Sequence, residues 1–272
     1  MPTLKQALAK KLSKKELELI RGSFDVIGTI AIVEIPIDLQ KKAKLIGETL
    51  LGMLKQVETV TMKTGSHVGK YRKQQMKIIA GKRKLVTKHK ENGIALDLHV
   101  ANCYYSPRLC TERMRIVQQI KKGERILVAG SGIGVYPLVL GKHTKAKEII
   151  GIEHNSEAHK YAEKNIKTNK LSNRVKVLLG DATKIKLGQF DRLIVAIPRP
   201  GIVIVPELLR HLKKGGTIHA YDFAPEENLQ EAAEKLQKAC TEKNRKCKTL
   251  RVVKAGQSAS RIYRVCVEGI VK

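Results

Sequence analysis

Two short, uninterrupted apolar runs lie near the middle of the chain, at residues 126–129 and 149–152. Each run is long enough for one strand that is buried on both faces of a parallel sheet. The first run breaks at the glycine-rich stretch 130–134, and the second ends on an acid, Glu153. A strand, a glycine turn, a helix, a second strand and an acid about 20 residues further on are typical of a nucleotide-binding α/β domain.

The hydrophobic pattern after Glu153 continues this alternation of helices and strands. It predicts helices over 156–169, 202–213 and 226–243, and strands over 175–179, 191–197, 217–223, 250–253 and 262–267. Together with the two central runs, these segments make seven strands. We therefore predict an α/β fold with a Rossmann-like sheet of seven strands, an arrangement that resembles the sheet of class I methyltransferases.

The pattern before residue 101 is less regular. Helical spacing predicts helices over 4–20 and 38–55, and apolar or alternating stretches predict strands over 23–36, 57–62, 76–88 and 96–100. Gly28 is expected at a turn or bulge within the first of these strand segments. We expect a small α+β domain over residues 1–100, and a catalytic domain over 101–272 whose first strand is preceded by a helix at 111–120.

The excess of positive charge indicates the kind of partner that the protein binds. The 272 residues include 53 Lys and Arg against 25 Asp and Glu, which gives a formal net charge of +28. Such an excess predicts a polyanionic partner, nucleic acid before an anionic membrane. A lysine-rich or heat-adapted composition is the alternative explanation.

The remaining composition bears on compartment and metal content. No apolar run reaches the roughly 18 residues of a membrane-spanning helix, and the amphipathic N-terminus has no signal-peptide core. Five cysteines occur without a CxxC pair, which argues against both a disulfide framework and a metal site. We expect a cytoplasmic protein with reduced thiols, no metal and no membrane attachment.

The spacing of the glycine turn separates two classes of ligand. Dinucleotide-binding domains have Gly-x-Gly-x-x-Gly, whereas here the third glycine comes one residue early, at Gly134. Gly-x-Gly-x-Gly followed by a ribose-binding acid resembles the first two motifs of S-adenosylmethionine-dependent methyltransferases. A glycine turn without such a ligand is the alternative, because the pattern alone is a weak signal.

Residues 63–90 form a basic block with ten Lys or Arg, two His and no acid. Its cations alternate with apolar positions such as Met76, so one side can pack while the other faces phosphates. A solvated basic edge is the alternative. We predict nucleic-acid contact through Lys63, Lys70, Lys73 and Arg83.

A second polar cluster precedes the first core strand. Residues 104–108, Tyr-Tyr-Ser-Pro-Arg, predict a turn, and the helix after it carries Glu112 among Arg108, Arg113 and Arg115. A carboxylate between arginines, beside two tyrosines, is a candidate site, and an ordinary ion-paired helix is the alternative.

These stretches together resemble one family, the archaeal and eukaryotic tRNA guanosine-37 N1-methyltransferases. The resemblance runs from SFDVIGTIAIVEIP through YRKQQMKIIAG, HKENGIALDLHVANCYYSPRLCTERMRI and AGSGIG to RIYRVCVEGIV, and YYSPRLCTER is its most specific part. It implies an S-adenosyl-L-methionine-dependent enzyme that methylates N1 of guanosine-37 in the anticodon loop of tRNA. It also implies that the extra N-terminal domain of longer members is not included in this chain, and it gives no reason to expect more than a monomer.

The resemblance implies roles for individual residues. Arg72 matches the arginine that contacts guanine O6, Glu112 matches the proposed general base, and Tyr104 matches an aromatic near the target base. Because Arg72 and Glu112 fall in different predicted domains, the target base is expected between them. The residues matched to the cofactor site and its pocket walls are Arg108, Arg113, Gly130, Gly132, Glu153, His154, Asp181, Ala182 and Ala196.

One position departs from the family pattern. Where the family has Asn-Leu-Pro or Asn-Pro-Pro after the fourth strand, this chain has Ala196-Ile197-Pro198. A related family transfers the 3-amino-3-carboxypropyl group of S-adenosylmethionine to a wyosine precursor at the same nucleotide. That family also lacks the asparagine, but it usually lacks the arginine matched by Arg108, so the retained Arg108 favours methyl transfer. The alternatives are aminocarboxypropyl transfer, methylation of a wyosine intermediate, and a non-catalytic tRNA-binding protein.

Overall fold

The computed structural model describes residues 2–69, 73–197 and 201–272. The chain divides into two compact units. The first comprises Met1–Glu91 with Ala95–Pro107, and the second comprises Asn92–Ile94 with Arg108–Lys272.

In the described part of the first unit, three α-helices and a four-stranded sheet share one core. Its helices are α1 (Leu4–Leu8), α2 (Lys14–Leu19) and α3 (Ala43–Met53), and its sheet contains β1 (Phe24–Ile27), β2 (Ile30–Val33), β3 (Thr59–Val68) and β4 (Lys73–Gly81) in that order. Strands β2 and β3 are parallel, and the other neighbours are antiparallel. The core of the unit includes Leu4, Leu8, Ile46, Leu50 and Val60.

Two predictions for this unit are wrong in detail. The single helix expected over 4–20 is interrupted, because Ser13 starts a new helix by a capping box in which Ser13 N–H donates to the Glu16 carboxylate at 2.9 Å. The strand expected over 76–88 is two strands, since β4 ends at Gly81 and β5 (Val86–Glu91) pairs with β6 (Ile94–His99). The predicted turn at Gly28 is confirmed, between β1 and β2.

The second unit is built on a seven-stranded mixed sheet, as the sequence predicted. Its strands are β7 (Arg125–Ala129), β8 (Glu148–Glu153), β9 (Val175–Leu179), β10 (Phe190–Val195), β11 (Leu212–Pro225), β12 (Cys247–Ala259) and β13 (Ile262–Val271). Their order across the sheet is β12-β13-β11-β10-β7-β8-β9. Strand β13 is antiparallel to both of its neighbours, and the other pairs are parallel.

Helices of the second unit pack against this sheet. They are α4 (Cys110–Val117), α5 (Val135–His143), α6 (Ser156–Thr168), α7 (Val205–Leu208) and α8 (Glu231–Thr241). The core of one layer includes Leu127, Phe190, Leu193, Leu208 and Leu236. No helix in the described parts of the chain is long and apolar enough to cross a membrane.

The helix expected over 202–213 is largely absent. Four residues of α-helix, Val205–Leu208, lie between two 3-10 turns, and β11 already begins at Leu212. Pro206 lies at the start of this short helix, where its missing N–H is tolerated. The expected helices at 111–120 and 226–243 are also shorter, at Cys110–Val117 and Glu231–Thr241.

The strand order reverses beside β7. The chain runs from β7 to β8 and β9 on one side, and then crosses to β10 on the other side of β7. In open α/β sheets a crevice forms at such a reversal, outside the carboxyl ends of the strands, and ligands bind there. The fold therefore places its candidate ligand crevice where β7 and β10 end.

Candidate active site

Two glycines of the loop after β7 lie where a side chain would be crowded and the backbone strained. Gly130 and Gly134 both have left-handed backbone, with φ of 76° and 85°. A Cβ on Gly130 would lie 2.4 Å from Cγ1 of Ile197, and one on Gly134 would lie 3.2 Å from Cβ of Ala162. Glycine accepts both the left-handed backbone and the close neighbours at these positions. The loop can therefore turn sharply, and α5 begins directly after it.

Glu153 lies beneath this loop at the carboxyl end of β8. Its Oε2 accepts a hydrogen bond from Gly132 N–H at 2.7 Å, and its Oε1 accepts one from Asn155 N–H at 2.8 Å. Each oxygen uses one of its two acceptor positions, so two remain for hydroxyl donors. These two free acceptor positions fit the two hydroxyls of a ribose as donors. His154, the next residue, is exposed.

The register of the parallel strands aligns the other predicted cofactor residues. Ala129 on β7 pairs with Ile152 on β8 and with Val195 on β10, and Glu153 pairs with Leu179 on β9. The four strands therefore end at one edge. The residues that follow them at this edge are Gly130, Gly132, His154, Asp181, Ala182 and Ala196.

Asp181 is held by two hydrogen bonds from Thr183. Its Oδ1 accepts hydrogen bonds from Thr183 Oγ1 at 2.7 Å and from Thr183 N–H at 2.9 Å. These two bonds hold the pKa of Asp181 below its ordinary value. Its neighbour Ala182 is buried.

Glu112 on α4 is a buried carboxylate held by a fork of hydrogen bonds. Arg115, one turn later, donates from Nε to Oε2 and from Nη2 to Oε1, both at 2.7 Å. The hydroxyl of Tyr221 on β11 donates to Oε1 at 2.6 Å. Glu112 is 6% exposed, so these three bonds fix its orientation inside the second unit.

Arg115 also bonds a second buried carboxylate, Glu268 on β13. Burial by itself raises the pKa of Glu268, but its contacts with His219, Gln119, Arg251 and Arg115 outweigh burial and hold that pKa well below the ordinary value. Glu268 therefore stays ionised, and Arg115 lies between the carboxyl groups of Glu112 and Glu268. Hydrogen bonding to both carboxylates outweighs burial and keeps this guanidinium charged, with its pKa raised.

One group of metal-capable side chains occurs among the described residues. Donor atoms of His219, Cys266 and Glu268 lie within 4.8 Å of one another. The Glu268 carboxylate is already bonded by Arg115 and Arg251, so a cation would meet two guanidinium charges there. The arrangement of charges fits a buried ionic cluster better than a metal site.

The other predicted residues lie in several places. Arg113 is buried on α4 at 2% exposure, and Arg108 is exposed in the 3-10 turn before this helix. Tyr104 is half-buried and belongs to the first unit. Arg72 and Lys70 lie outside the described residues.

Most described cations of the basic block are exposed, and Lys63 is the exception among the predicted contacts. Lys63 is half-buried and bonds the carboxylate of Glu34 at 2.8 Å. Lys73, at the start of β4, and Arg83, in the turn after β4, are exposed. Of the predicted phosphate contacts, these two residues are therefore the strongest candidates.

Sequence reasoning did not find Tyr221, Tyr136 or Glu268. Two weak signals were present, because polar residues recur at alternate positions on β11, as His219 and Tyr221, and on β13, as Cys266 and Glu268. The strands pair these positions directly, His219 with Glu268 and Tyr221 with Cys266. All four side chains are buried.

The strand order, the glycine loop and the acid at the end of β8 define a Rossmann-like class I methyltransferase fold. Residues 87–250 match the model of the TRM5/TYW2 methyltransferase domain, and residues 4–84 match that of the TYW2 N-terminal domain. The chain belongs to the TRM5/TYW2 methyltransferase family, as its resemblance predicted.

Three members of the family illustrate what the chain is similar to. The chain is 41% identical over 204 residues to the tRNA (guanine(37)-N(1))-methyltransferase Trm5b of Pyrococcus abyssi, an alignment that covers 75% of this chain and 61% of the relative. It is 28% identical to the tRNA(Phe) (4-demethylwyosine(37)-C(7)) aminocarboxypropyltransferase of Pyrococcus horikoshii, over 83% of this chain and 80% of the relative. Its fold superposes with a TM-score of 0.89 on aTrm5 in the complex of aTrm5 and tRNALeu, at 27% identity, over 100% of this chain and 78% of that one.

Proposed function

We propose that the protein transfers the methyl group of S-adenosylmethionine to N1 of guanosine-37 in tRNA. The observation that carries this proposal is Glu112, a buried and oriented carboxylate in the same compact unit as the glycine loop. The similarity to Trm5b of P. abyssi supports the same reaction. The chain spans 61% of that relative's length, so its own substrate has to be tested directly.

The chemistry of guanine explains the need for such a carboxylate. N1 carries a proton and is a poor nucleophile until that proton is removed. A positioned carboxylate can accept it as general base. Negative charge then spreads to O6, where an arginine stabilises it, and the family resemblance assigns that role to Arg72. N1 lies on the Watson–Crick edge, so the base has to be unpaired, as it is in an anticodon loop.

The proposed cofactor-binding residues are those at the carboxyl ends of the parallel strands. S-adenosylmethionine supplies an electrophilic methyl carbon when it is bound. Glu153 would accept hydrogen bonds from the ribose hydroxyls, and the turn at Asp181 and Ala182 would meet the adenine. The loop at Gly130 and Gly132 would lie against the amino-acid end. The remaining proposed pocket residues are Arg108, Arg113, His154 and Ala196.

The partner and the compartment complete the proposal. The tRNA would contact Lys73 and Arg83 in the small N-terminal domain, with Tyr104 near the target base, and Lys63 and Lys70 as further contacts. The enzyme would act as a cytoplasmic monomer, with residues 1–100 positioning RNA and residues 101–272 binding the cofactor.

A second candidate is transfer of the 3-amino-3-carboxypropyl group to a wyosine precursor at the same nucleotide. Two observations favour it. Residues 4–84 match the TYW2 N-terminal domain, and Ala196 replaces an asparagine that the resemblance associates with N1 methylation. Methylation of a wyosine intermediate is a variant of the same alternative.

S-adenosylmethionine labelled separately on the methyl carbon and on the carboxyl carbon distinguishes these reactions. With unmodified tRNA, we expect methyl label in the RNA and carboxyl label in the small-molecule product. Carboxyl label in tRNA would replace the proposal with aminocarboxypropyl transfer. Binding of tRNA without transfer of either label would indicate a non-catalytic tRNA-binding protein.

A further inference from the structure

The two oxygens of the Glu112 carboxylate are unequally occupied. Oε1 accepts two hydrogen bonds, from Arg115 Nη2 at 2.7 Å and from the Tyr221 hydroxyl at 2.6 Å. Oε2 accepts one, from Arg115 Nε at 2.7 Å. A carboxylate offers about four acceptor positions, two on each oxygen. Donors from the described part of the chain fill three of them, and the fourth is on Oε2.

We propose that Oε2 of Glu112 is the atom that receives the proton of the target base, and that Tyr221 is a positioning residue that directs the reaction to Oε2 by occupying Oε1. This inference rests on the proposed function, because it takes Glu112 as the general base. In the step, the N1–H bond of guanine breaks and a bond from hydrogen to Oε2 forms. The electron pair left on N1 forms the new bond to the methyl carbon, and the pair of the breaking carbon–sulfur bond returns to sulfur.

Tyr221 is suited to this role because it remains a hydrogen-bond donor. It is 3% exposed, and burial raises the pKa of its hydroxyl well above the ordinary value. Its single hydrogen is directed at Glu112, so the Tyr136 hydroxyl, 2.6 Å from that of Tyr221, donates to the Tyr221 oxygen. Burial also raises the pKa of Tyr136, which therefore keeps its proton. A chain of two hydroxyls polarises the bond to Glu112.

The hydrogen-bonded hydroxyls of Tyr221 and Tyr136 also connect the Glu112 carboxylate to the helix that follows the glycine loop. Tyr136 is the second residue of α5, the helix that begins directly after Gly134. Glu112 is therefore connected through Tyr221 and Tyr136 to the first turn of α5, directly after the glycine loop.

The surroundings allow the Tyr221 hydroxyl to be tested alone. The charged or titratable groups around it are Arg113 and Arg115 on α4, Tyr136 on α5, and Cys266 and Glu268 on β13. Burial raises the pKa of the Cys266 thiol, so it is neutral. Replacing tyrosine by phenylalanine thus removes one donor from Glu112 and changes no charge in the cluster.

The test is the pH dependence of the single-turnover methylation rate in Tyr221→Phe. A hydrogen bond to the ionised carboxylate favours that form, so its loss should move the acid limb of the profile to higher pH, by about one unit. The rate well below the limb should fall about tenfold, and the plateau should stay within about threefold of wild type. A merely structural role would lower the rate by one factor at every pH.

Tyr136→Phe is the matched control. It removes a hydroxyl of the same size from the same buried chain and keeps the bond from Tyr221 to Glu112, so its acid limb should move less than half as far. The double variant Tyr136→Phe/Tyr221→Phe removes both hydroxyls together, so that neither is left buried without a hydrogen-bond partner. It should show the full shift of Tyr221→Phe even if that single variant folds poorly.

Two failures can be told apart. An acid limb that stays in place in Tyr221→Phe and in the double variant, with an active wild-type enzyme, overturns the role of Tyr221. A wild-type enzyme that methylates no guanosine overturns the proposed function instead.

Discussion

At the scale of single residues, Glu112 is the side chain on which the proposed chemistry depends. Glu112→Gln keeps the shape of the side chain and removes the base, so the methylation rate should fall about 10²–10⁴-fold. The loss should lessen as the pH approaches the value at which guanine N1 loses its proton unaided. Single-turnover rates over a pH series measure both effects.

Glu163→Gln provides the control for this substitution. Glu163 is an exposed carboxylate on α6 in the same unit, so its replacement should leave the rate unchanged. A near-full rate for Glu112→Gln at neutral pH would mean that Glu112 is an ordinary ion-paired helical residue.

Glu268 makes a prediction about stability and pH. Its pKa in the folded protein is held below the ordinary value of 4.5, so its ionised form stabilises the fold above that pH, and the stabilisation is lost as the pH falls further. Glu268→Gln leaves Arg115 and Arg251 without this carboxylate and should cost about 3 kcal/mol at pH 7. Urea unfolding should show a smaller difference from wild type at pH 3. An equal loss at both pH values would contradict this assignment.

The sequence predicted these residues unevenly, for a physical reason. Glu112 and Arg115 are three residues apart, and helical spacing places them on one face. Tyr221 lies 109 residues from Glu112, and Glu268 lies 153 residues from Arg115. Their contacts depend on the register of β11 against β13, which no local pattern specifies.

At the scale of elements, the glycine loop can be tested by adding one methyl group. Gly130→Ala would place its Cβ 2.4 Å from Ile197 and would keep a left-handed φ of 76°, so the loop has to move. We expect a loss of about 1–2 kcal/mol in stability and at least about tenfold weaker S-adenosylmethionine binding, measured by calorimetry.

Gly52→Ala is the matched change. Gly52 lies inside α3, and a Cβ there would meet no described atom within 4 Å. It should raise stability by about 0.5–1 kcal/mol, because alanine loses less backbone entropy on folding, and should leave cofactor affinity unchanged. Unaltered affinity in Gly130→Ala would show that the loop does not contact the cofactor.

The elements themselves could be predicted where their hydrophobic pattern was strong. Strands β7, β8 and β10 each contain a short apolar run, at residues 126–129, 149–152 and 193–195, so their positions followed from the sequence. Strand β12 lies at the edge of the sheet with many exposed residues, so hydrophobicity marked less than half of its length. The β5–β6 hairpin is missing from the sequence prediction, although Asn92-Gly93, with φ of 44° and 72°, is a strong turn signal.

At the scale of the whole molecule, the net charge of +28 predicts salt-dependent tRNA binding. Lys73→Ala/Arg83→Ala removes two exposed cations and should flatten the slope of log affinity against log salt by up to about 0.9 for each phosphate that the protein no longer neutralises. Lys63→Ala should have a smaller effect, because Lys63 is already paired with Glu34. Filter-binding titrations over a salt series provide the measurement.

Lys238→Ala/Lys246→Ala removes the same charge from two exposed lysines at α8 and just before β12. It should change the slope less than the Lys73/Arg83 pair does, and S-adenosylmethionine affinity should not change in either variant. Equal slopes for the two pairs would mean that the basic block is a solvated edge without a specific role.

The most direct measurement is methyl transfer to unmodified tRNA transcripts that differ at nucleotide 37 alone. With methyl-labelled S-adenosylmethionine, we predict close to one methyl group per G37 transcript, recovered after nuclease digestion as N1-methylguanosine, and none in the A37 transcript. A G37 transcript that binds but stays unlabelled, or equal labelling of the A37 transcript, would contradict methylation at N1 of guanosine-37.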